Sequence, residues 1–461
     1  MPTNNIIRGT IGFVMCAGLI APAASAQLAN ASATTFGVAG NATATARGIA
    51  AISVNPAGLG MPGSGFTLSF LPLELRSGID PITLKDLKDV QGEVLTPAMK
   101  EDWLTRAEAA GGQSGAVGVD ISALALSMGK FGLQLSTLVG ADLNVSPDVL
   151  EVLLYGNAGR TGSATDISLA GSTATGYVVT TGGVSVGFPL SSASGSMAVG
   201  GTLKYSVGNA VLAGKDQGGR ITGNPVKVDL RFPVIMPPEE GDEFNHGSGI
   251  GVDLGFQATR GKVSFGGAVL NAFNTFKWKT DKLVYRPLTV LFDGDNNESD
   301  SDEQPISGAP ADLKLVIEDM KFDPILSLGV GYDVSDVFTV SADFRNRFGD
   351  GMAVTPKLHL GAGAEFRGLK VLHLRAGAAI ITDGMELAGG ASLVLGPVSL
   401  SAAGGLRKGD LADTSMAQFG LSFGGRSSLG RLHWRKKKTG PVVLAGRPAR
   451  SFSRRAHGVT P

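Results

Sequence analysis

Three neighbouring stretches carry ionisable residues at even spacing: Asp343 and Arg345, His359 and Glu365, His373 and Arg375. On an extended chain residues an even number apart share one face, so each pair presents its charges together. Charges meeting from adjacent strands can close a satisfied ion-pair network, or can latch another segment, here through Arg47. Asp120, Asp142, Lys204 and Asp253 occupy comparable alternate positions. Catalytic chemistry has little support. The five histidines, His246, His359, His373, His433 and His457, include no i,i+4 metal pair. No phosphate loop or nucleophile elbow is expected. A hydrolase built on His359 or His373 with a serine is the remaining enzyme reading, and a lone strand histidine is usually structural. The expectation is a protein that is not an enzyme and needs no cofactor or metal.

The elements that would position these side chains alternate with period two. Phe131, Leu133, Leu135, Thr137, Val139, Ala141, Leu143 and Val145 interleave with small or polar residues over 15 positions. A soluble strand averages about five or six residues, whereas a tilted membrane strand needs about 9–11. The pattern returns in Val178–Phe188, Met197–Val207, Ile250–Ala258, Leu326–Tyr332, Phe338–Phe344, Leu358–Phe366, Leu372–Ile380, Leu387–Leu395 and Val398–Leu406. Short turns join many of these. The fold class read from this is all-β, a transmembrane antiparallel barrel of about 14 strands. Phe419, Leu421 and Phe423 are expected outward on the last strand, paired with a strand starting near Phe66. A Lys or Arg at mid-depth on the lipid face would cost about 2–4 kcal/mol, so the charged positions should face the lumen.

Composition agrees. Mean hydropathy is +0.17 and charged residues are 17%, yet no apolar run after the N-terminus is long enough for a membrane helix. A barrel resolves this, because it shows apolar residues outward without a continuous run. Aromatic residues make up only 6%, so any interfacial girdle must come from the 21 phenylalanines. Residues 1–26 read as a signal peptide, with Arg8, the apolar Ile11–Ile20 and Ala24-Ser25-Ala26, so the protein is expected to be exported, and with the barrel this implies the outer membrane of a Gram-negative-type bacterium. Cys16, the sole cysteine, falls inside it. Ten Lys and Arg and no acid fill residues 426–461, leaving 27–425 near −11. This tail reads as disordered, periplasmic and weakly attracted to anionic surfaces. Export argues against a nucleic-acid partner. The expected partners are outer-membrane lipids and the outer-membrane insertion machinery.

Three segments break the alternation. Residues 27–64 are Ala, Gly and Thr-rich and read as a plug segment ahead of a barrel over 65–425. Within it Asn55, Pro56, Ala57 and Gly58 form a turn: proline disfavours the α region at Asn55, and Gly58 tolerates positive φ. That turn either leads plainly into the first strand or gates the lumen. Short helical inserts are expected over 83–110 and 147–154, the latter started by Ser146-Pro147-Asp148. Residues 291–310 read as a mobile acidic loop.

The runs Phe36-Gly37-Val38-Ala39-Gly40, Ala44-Thr45-Ala46-Arg47-Gly48 and Asn55-Pro56-Ala57-Gly58-Leu59 resemble the N-terminal lumen segment of FadL-like outer-membrane proteins. The helical insert, Leu150–Asn157, Gly200–Tyr205 and Gly251–Gly255 are similar to an uncharacterised outer-membrane group with a domain of unknown function. The likeness spans most of residues 36–424. It implies a plugged barrel that passes small hydrophobic compounds passively. The alternative is a surface or assembly protein whose filled barrel is only an anchor.

Overall fold

The computed structural model describes residues 28–30, 32–162, 166–192, 195–223, 225–239, 244–294, 296–349, 351–352, 356–382, 384–409 and 414–425. The expected signal peptide with Cys16 and the basic tail lie outside the described residues. So does the facing of the Phe419, Leu421 and Phe423 side chains.

Fourteen long strands form the wall: β1 Phe66–Asp80, β2 Gln113–Met128, β3 Phe131–Val145, β4 Thr173–Leu190, β5 Ser196–Lys215, β6 Gly247–Arg260, β7 Val263–Asn274, β8 Ile325–Ser335, β9 Phe338–Arg347, β10 Leu358–Phe366, β11 Leu372–Ile381, β12 Gly384–Leu395, β13 Val398–Gly409 and β14 Thr414–Gly425. Each pairs antiparallel with its successor. β14 returns to β1, with Phe66 opposite Gly425 and Phe70 opposite Leu421. The sheet is therefore closed, and the wall leaves no open edge of unpaired backbone.

Alternation decides which side faces what. Along β3, Phe131, Leu133 and Leu135 are exposed, while Gly132, Gln134 and Ser136 are buried. Leu203, Leu254, Leu328, Leu360 and Leu400 extend the same exposed apolar belt around the wall. An apolar surface this continuous on a closed barrel is a lipid-facing one. Exposed Phe66, Phe131, Phe188, Phe265, Tyr332 and Phe366 all lie near the ends of their strands that meet the short turns. They form an aromatic girdle at that interface, so a low aromatic fraction is enough when the rings are placed at one depth.

Connections separate the two ends. Both ends of the barrel's chain, at Phe66 and Gly425, and the β2–β3, β6–β7, β8–β9 and β12–β13 turns lie at one end, and the long connections at the other. Short turns mark the periplasmic side and long loops the outside. Residues 83–110 form two helices, Leu84–Asp89 and Pro97–Ala110, rather than one. Thr83 and Asp86 make a capping box, and Gly111 at φ +80 ends the second helix. Trp103, Leu104 and Ala107 pack with Ile82 and Leu150, joining this insert to the helix Pro147–Tyr155. The expected acidic loop is partly a hairpin. Thr289–Asp293 pairs with Asn296–Asp300 inside a second, five-stranded sheet. Gly294, at φ +63, opens the turn that follows the last pair, Asp293 opposite Asn296, and glycine at that first turn position favours a tight hairpin despite the acidity around it.

Candidate functional site

Residues 28–62 run inside the barrel, in three short helical turns at Ala33–Phe36, Ile49–Val54 and Pro56–Gly60. Leu28, Val38, Ile49, Ile52 and Leu59 are buried in one cluster with Ala125 of β2. The segment takes no place in the sheet. Its ties to the wall are hydrogen bonds that involve side chains and close packing of backbone on wall glycines.

Wall glycines let the two backbones meet. A Cβ at Gly377 would sit 2.6 Å from the Ala39 nitrogen, one at Gly266 2.7 Å from Ala44 Cα, and one at Gly363 2.7 Å from Val38 Cβ. All are below any real Cβ contact, and the first two obstructing atoms are backbone, which cannot swing aside. Gly377→Val should therefore push residues 38–39 off β11, at a cost of about 1–3 kcal/mol or more. Arg47 is the only Lys or Arg between residues 27 and 64. Tryptic cleavage there in the folded barrel reads the displacement, and it should rise clearly over the unsubstituted protein.

Asn55 organises the turn. It is extended, φ −160 and ψ 100, as a residue before proline should be. Its Oδ1 accepts from the Ala57 nitrogen at 3.2 Å, and its Nδ2 donates to the carbonyls of Thr43 at 2.9 Å and of Phe256 on β6 at 3.0 Å. Pro56 opens the 3-10 turn, and Ala57 is buried against Ala198. Gly58 does not take positive φ. Glycine is required there because a Cβ would lie 2.8 Å from that of Ala51.

The six ionisable positions do not form one network. Asp343 Oδ2 accepts three hydrogen bonds from the interior segment, from the nitrogens of Ala42 at 3.0 Å and Thr43 at 2.9 Å and from Thr43 Oγ1 at 2.6 Å. Next to it Arg345 Nη2 stands 3.0 Å from His359 Nε2, which is 3.1 Å from Asn41 Oδ1. Glu365 and Arg375 pair separately at 2.6 Å, with Arg367 and Ser392 beside them. His373 is buried two residues from Arg375. His359 pairs with Ile381, eight residues along β11 from His373, so the two histidines are about 27 Å apart and share no site. Arg47 donates to Gln257 Oε1 at 2.5 Å and to its neighbour's carbonyl, and Gln257 Nε2 donates in turn to the Thr43 carbonyl at 2.9 Å, beside the Thr43 nitrogen that Asp343 holds. Two Gly-x-Ser-x-Gly runs do occur, Gly183–Gly187 and Gly420–Gly424. Both lie within strands instead of at a strand–turn–helix elbow, and Ser185 is buried against Thr202 at 2.8 Å.

Other buried charges sit on the inner wall. Lys204 Nζ donates to Asp253 and to Asn271 Oδ1, whose own backbone nitrogen donates to Asp253 at 2.7 Å. Lys204→Met would strand the Asp253 carboxylate in the barrel interior, so a loss of about 3–5 kcal/mol is expected. A fall in the urea midpoint of the refolded barrel checks it, and Asp253→Asn in the same chain should restore part of the loss. Glu74 and Arg76 of β1 were not legible in sequence. The run Phe70-Leu71-Pro72-Leu73 hides their alternation, because the register slips there and Leu71 adopts φ +47. Arg76 pairs with Glu74 and, at 3.4 Å, with Asp120; Arg407 pairs with Glu386 at 3.0 Å. With Arg345, these residues line a cavity of about 110 Å³ beside the interior segment.

No family model matches the chain, and no curated protein does. Among solved structures, the toluene transporter TbuX of Ralstonia pickettii aligns over 86% of this chain and 98% of its own, with TM-score 0.52 and 14% identity. The Pseudomonas putida toluene transporter TodX aligns over 86% and 97%, TM-score 0.43 and 10% identity. A Pseudomonas aeruginosa FadL homologue aligns over 87% and 96%, TM-score 0.40 and 12% identity. At such identity the likeness is one of fold. The closed antiparallel β-barrel is a fold shared with TbuX.

Proposed function

We propose that the protein is a plugged outer-membrane channel, without enzymatic activity, for small hydrophobic compounds. The observation that carries it is the mode of attachment of residues 28–62. They fill the lumen yet hold to the wall by side-chain hydrogen bonds and close packing, with no strand pairing. Such a segment can shift while the wall stays closed. The hydrophobic cargo is supported by the fold shared with TbuX, described as a toluene transporter. Lipids of the outer membrane surround the belt, and the insertion machinery of that membrane places it. A second reading, the filled anchor, is favoured by one observation: the cavity beside the segment is lined by charges.

Initial uptake of labelled toluene by cells with an intact lipopolysaccharide barrier separates the two. Expression of the protein should raise the rate several-fold over an empty vector. Equal rates, with the barrel inserted, would leave the anchor.

A further inference from the structure

The interior segment is not held evenly along its length. Residues 41–43 hang from β9: the Ala42 and Thr43 nitrogens donate to Asp343, and Ser341 Oγ donates to the Asn41 carbonyl at 2.6 Å. Residues 55–60 are bound on β4, β5 and β6. Asn55 donates to the Phe256 carbonyl, and a Cβ at Gly200 or Gly187 would lie 2.3 Å from the Pro56 carbonyl carbon or 2.2 Å from the Gly60 nitrogen. Between these anchored stretches lies the helix Ile49–Val54, of six residues and about 9 Å long. Among the described residues, no hydrogen bond joins residues 48–54 to the wall, and Ser53 Oγ is buried without a partner.

Apolar packing holds the helix instead. Ile49, Ala50, Ala51 and Ile52 share a buried cluster with Leu28 and Leu59, and Ala125 is the wall residue among them. Within the segment, Ala51 rests on Gly58. On β3 the helix meets Gly132, where a Cβ would lie 2.7 Å from Ile52 Cγ1 and 2.9 Å from Ile52 Cδ1. Those are side-chain ends, which turn aside, unlike the backbone atoms packed on Gly200 and Gly187. Both ends of the helix can hinge. Gly48 sits at φ +59, and a Cβ built on it would meet no atom closer than 3.4 Å; Asn55 is extended between the helix and the 3-10 turn. Gly48 lies beside Thr67 and Ser127, near the short-turn ends of β1 and β2, whereas Ser53 and Val54 line the charged cavity. The helix thus separates the cavity from the periplasmic end along β1–β3.

We propose that the helix Ile49–Val54 is the moving part of the stopper, hinged at Gly48 and Asn55, and that hydrophobic cargo passes along the seam it opens against β2 and β3. The seam is apolar on the helix side and small on the wall side, at Ala125 and Gly132. A hydrophobic solute entering it exchanges one apolar contact for another and leaves little apolar surface to water. Residues 38–45 and 55–60 stay on their strands throughout. The path rests on the channel reading; the movement of the helix does not, and the two are measured apart.

Thiol labelling reads the movement, in the refolded full chain carrying Cys16→Ser and one introduced cysteine, with the heat-modifiable gel shift of a folded barrel. Val38 is 7% exposed and Ile52 0%, so static burial makes Val38→Cys the faster to react with a maleimide. The hinge predicts the reverse, Ile52→Cys faster by about tenfold or more. Equal rates, or a faster Val38→Cys, would overturn the proposal. A disulfide reads the path. A Cβ at residue 132 falls within disulfide reach of the Ile52 Cβ, and one at residue 331, 2.6 Å from Thr45 Cγ2, does the same for Thr45. In cells, oxidised Ile52→Cys/Gly132→Cys should lower the uptake of labelled toluene to the empty-vector rate, with recovery on reduction. Oxidised Thr45→Cys/Gly331→Cys should keep the rate of the unsubstituted protein. Uptake unchanged by the first bridge, or abolished equally by the second, would also overturn it. No uptake by the unsubstituted protein removes the channel reading and the path with it, and the labelling ratio still decides whether the helix moves.

Discussion

Asp343→Ala should free residues 41–43 from the wall and make Arg47 cleavable by trypsin in a folded barrel. One carboxylate oxygen receives two backbone N–H groups and a hydroxyl there. Hydrogen bonds to a charged group contribute about 1.5–3 kcal/mol each. Three that share an acceptor do not add fully, and the loss also leaves the Ala42 and Thr43 nitrogens unmet in a buried place. Even the value of a single bond would raise the open population of the segment by roughly tenfold or more. Asp343→Asn keeps one acceptor oxygen and should fall between. Ser341→Ala removes only the bond to the Asn41 carbonyl and should have the smaller effect. The strand pairs of β9 are made by backbone, so the barrel itself should still assemble in all three. Cleavage at Arg47 unchanged by Asp343→Ala would mean that glycine-lined packing alone holds the segment.

The wall was legible in the sequence because a strand's period is short and its two faces meet opposite solvents. Fifteen alternating residues at Phe131–Val145 admit little besides a membrane strand, and the pairing of the last strand with the one at Phe66 follows from closure. The interior segment announced itself differently, by small residues and by Asn55-Pro56. What the sequence could not give was partners. Asp343 and Glu365 look alike on their strands, yet one meets backbone nitrogens of residues 42–43 and the other meets Arg375. Which it would be depends on where a non-periodic segment crosses each strand, and no local pattern encodes that crossing. Gly58 shows the same limit: its need for glycine comes from Ala51 and Ala46, distant in conformation though near in sequence, and not from its own φ. At Leu71 a local irregularity concealed Glu74 and Arg76, and with them half of the charged cavity. At Gly294 the turn signal was present, and a run of acidic residues drew the reading toward a loop.

The most direct test of a stoppered barrel is single-channel conductance in planar bilayers, comparing the full chain with a chain lacking residues 30–60. A closed ring of fourteen strands is wider than an eight-stranded barrel that side chains can fill and approaches the strand number of open porins. Its interior glycines and serines would not fill the space once the segment is gone. The deletion should therefore show steady open events, with conductance higher by about tenfold or more, in protein that retains the gel shift of a folded barrel. Equal conductance from the two inserted proteins would contradict the proposal that residues 28–62 close the channel.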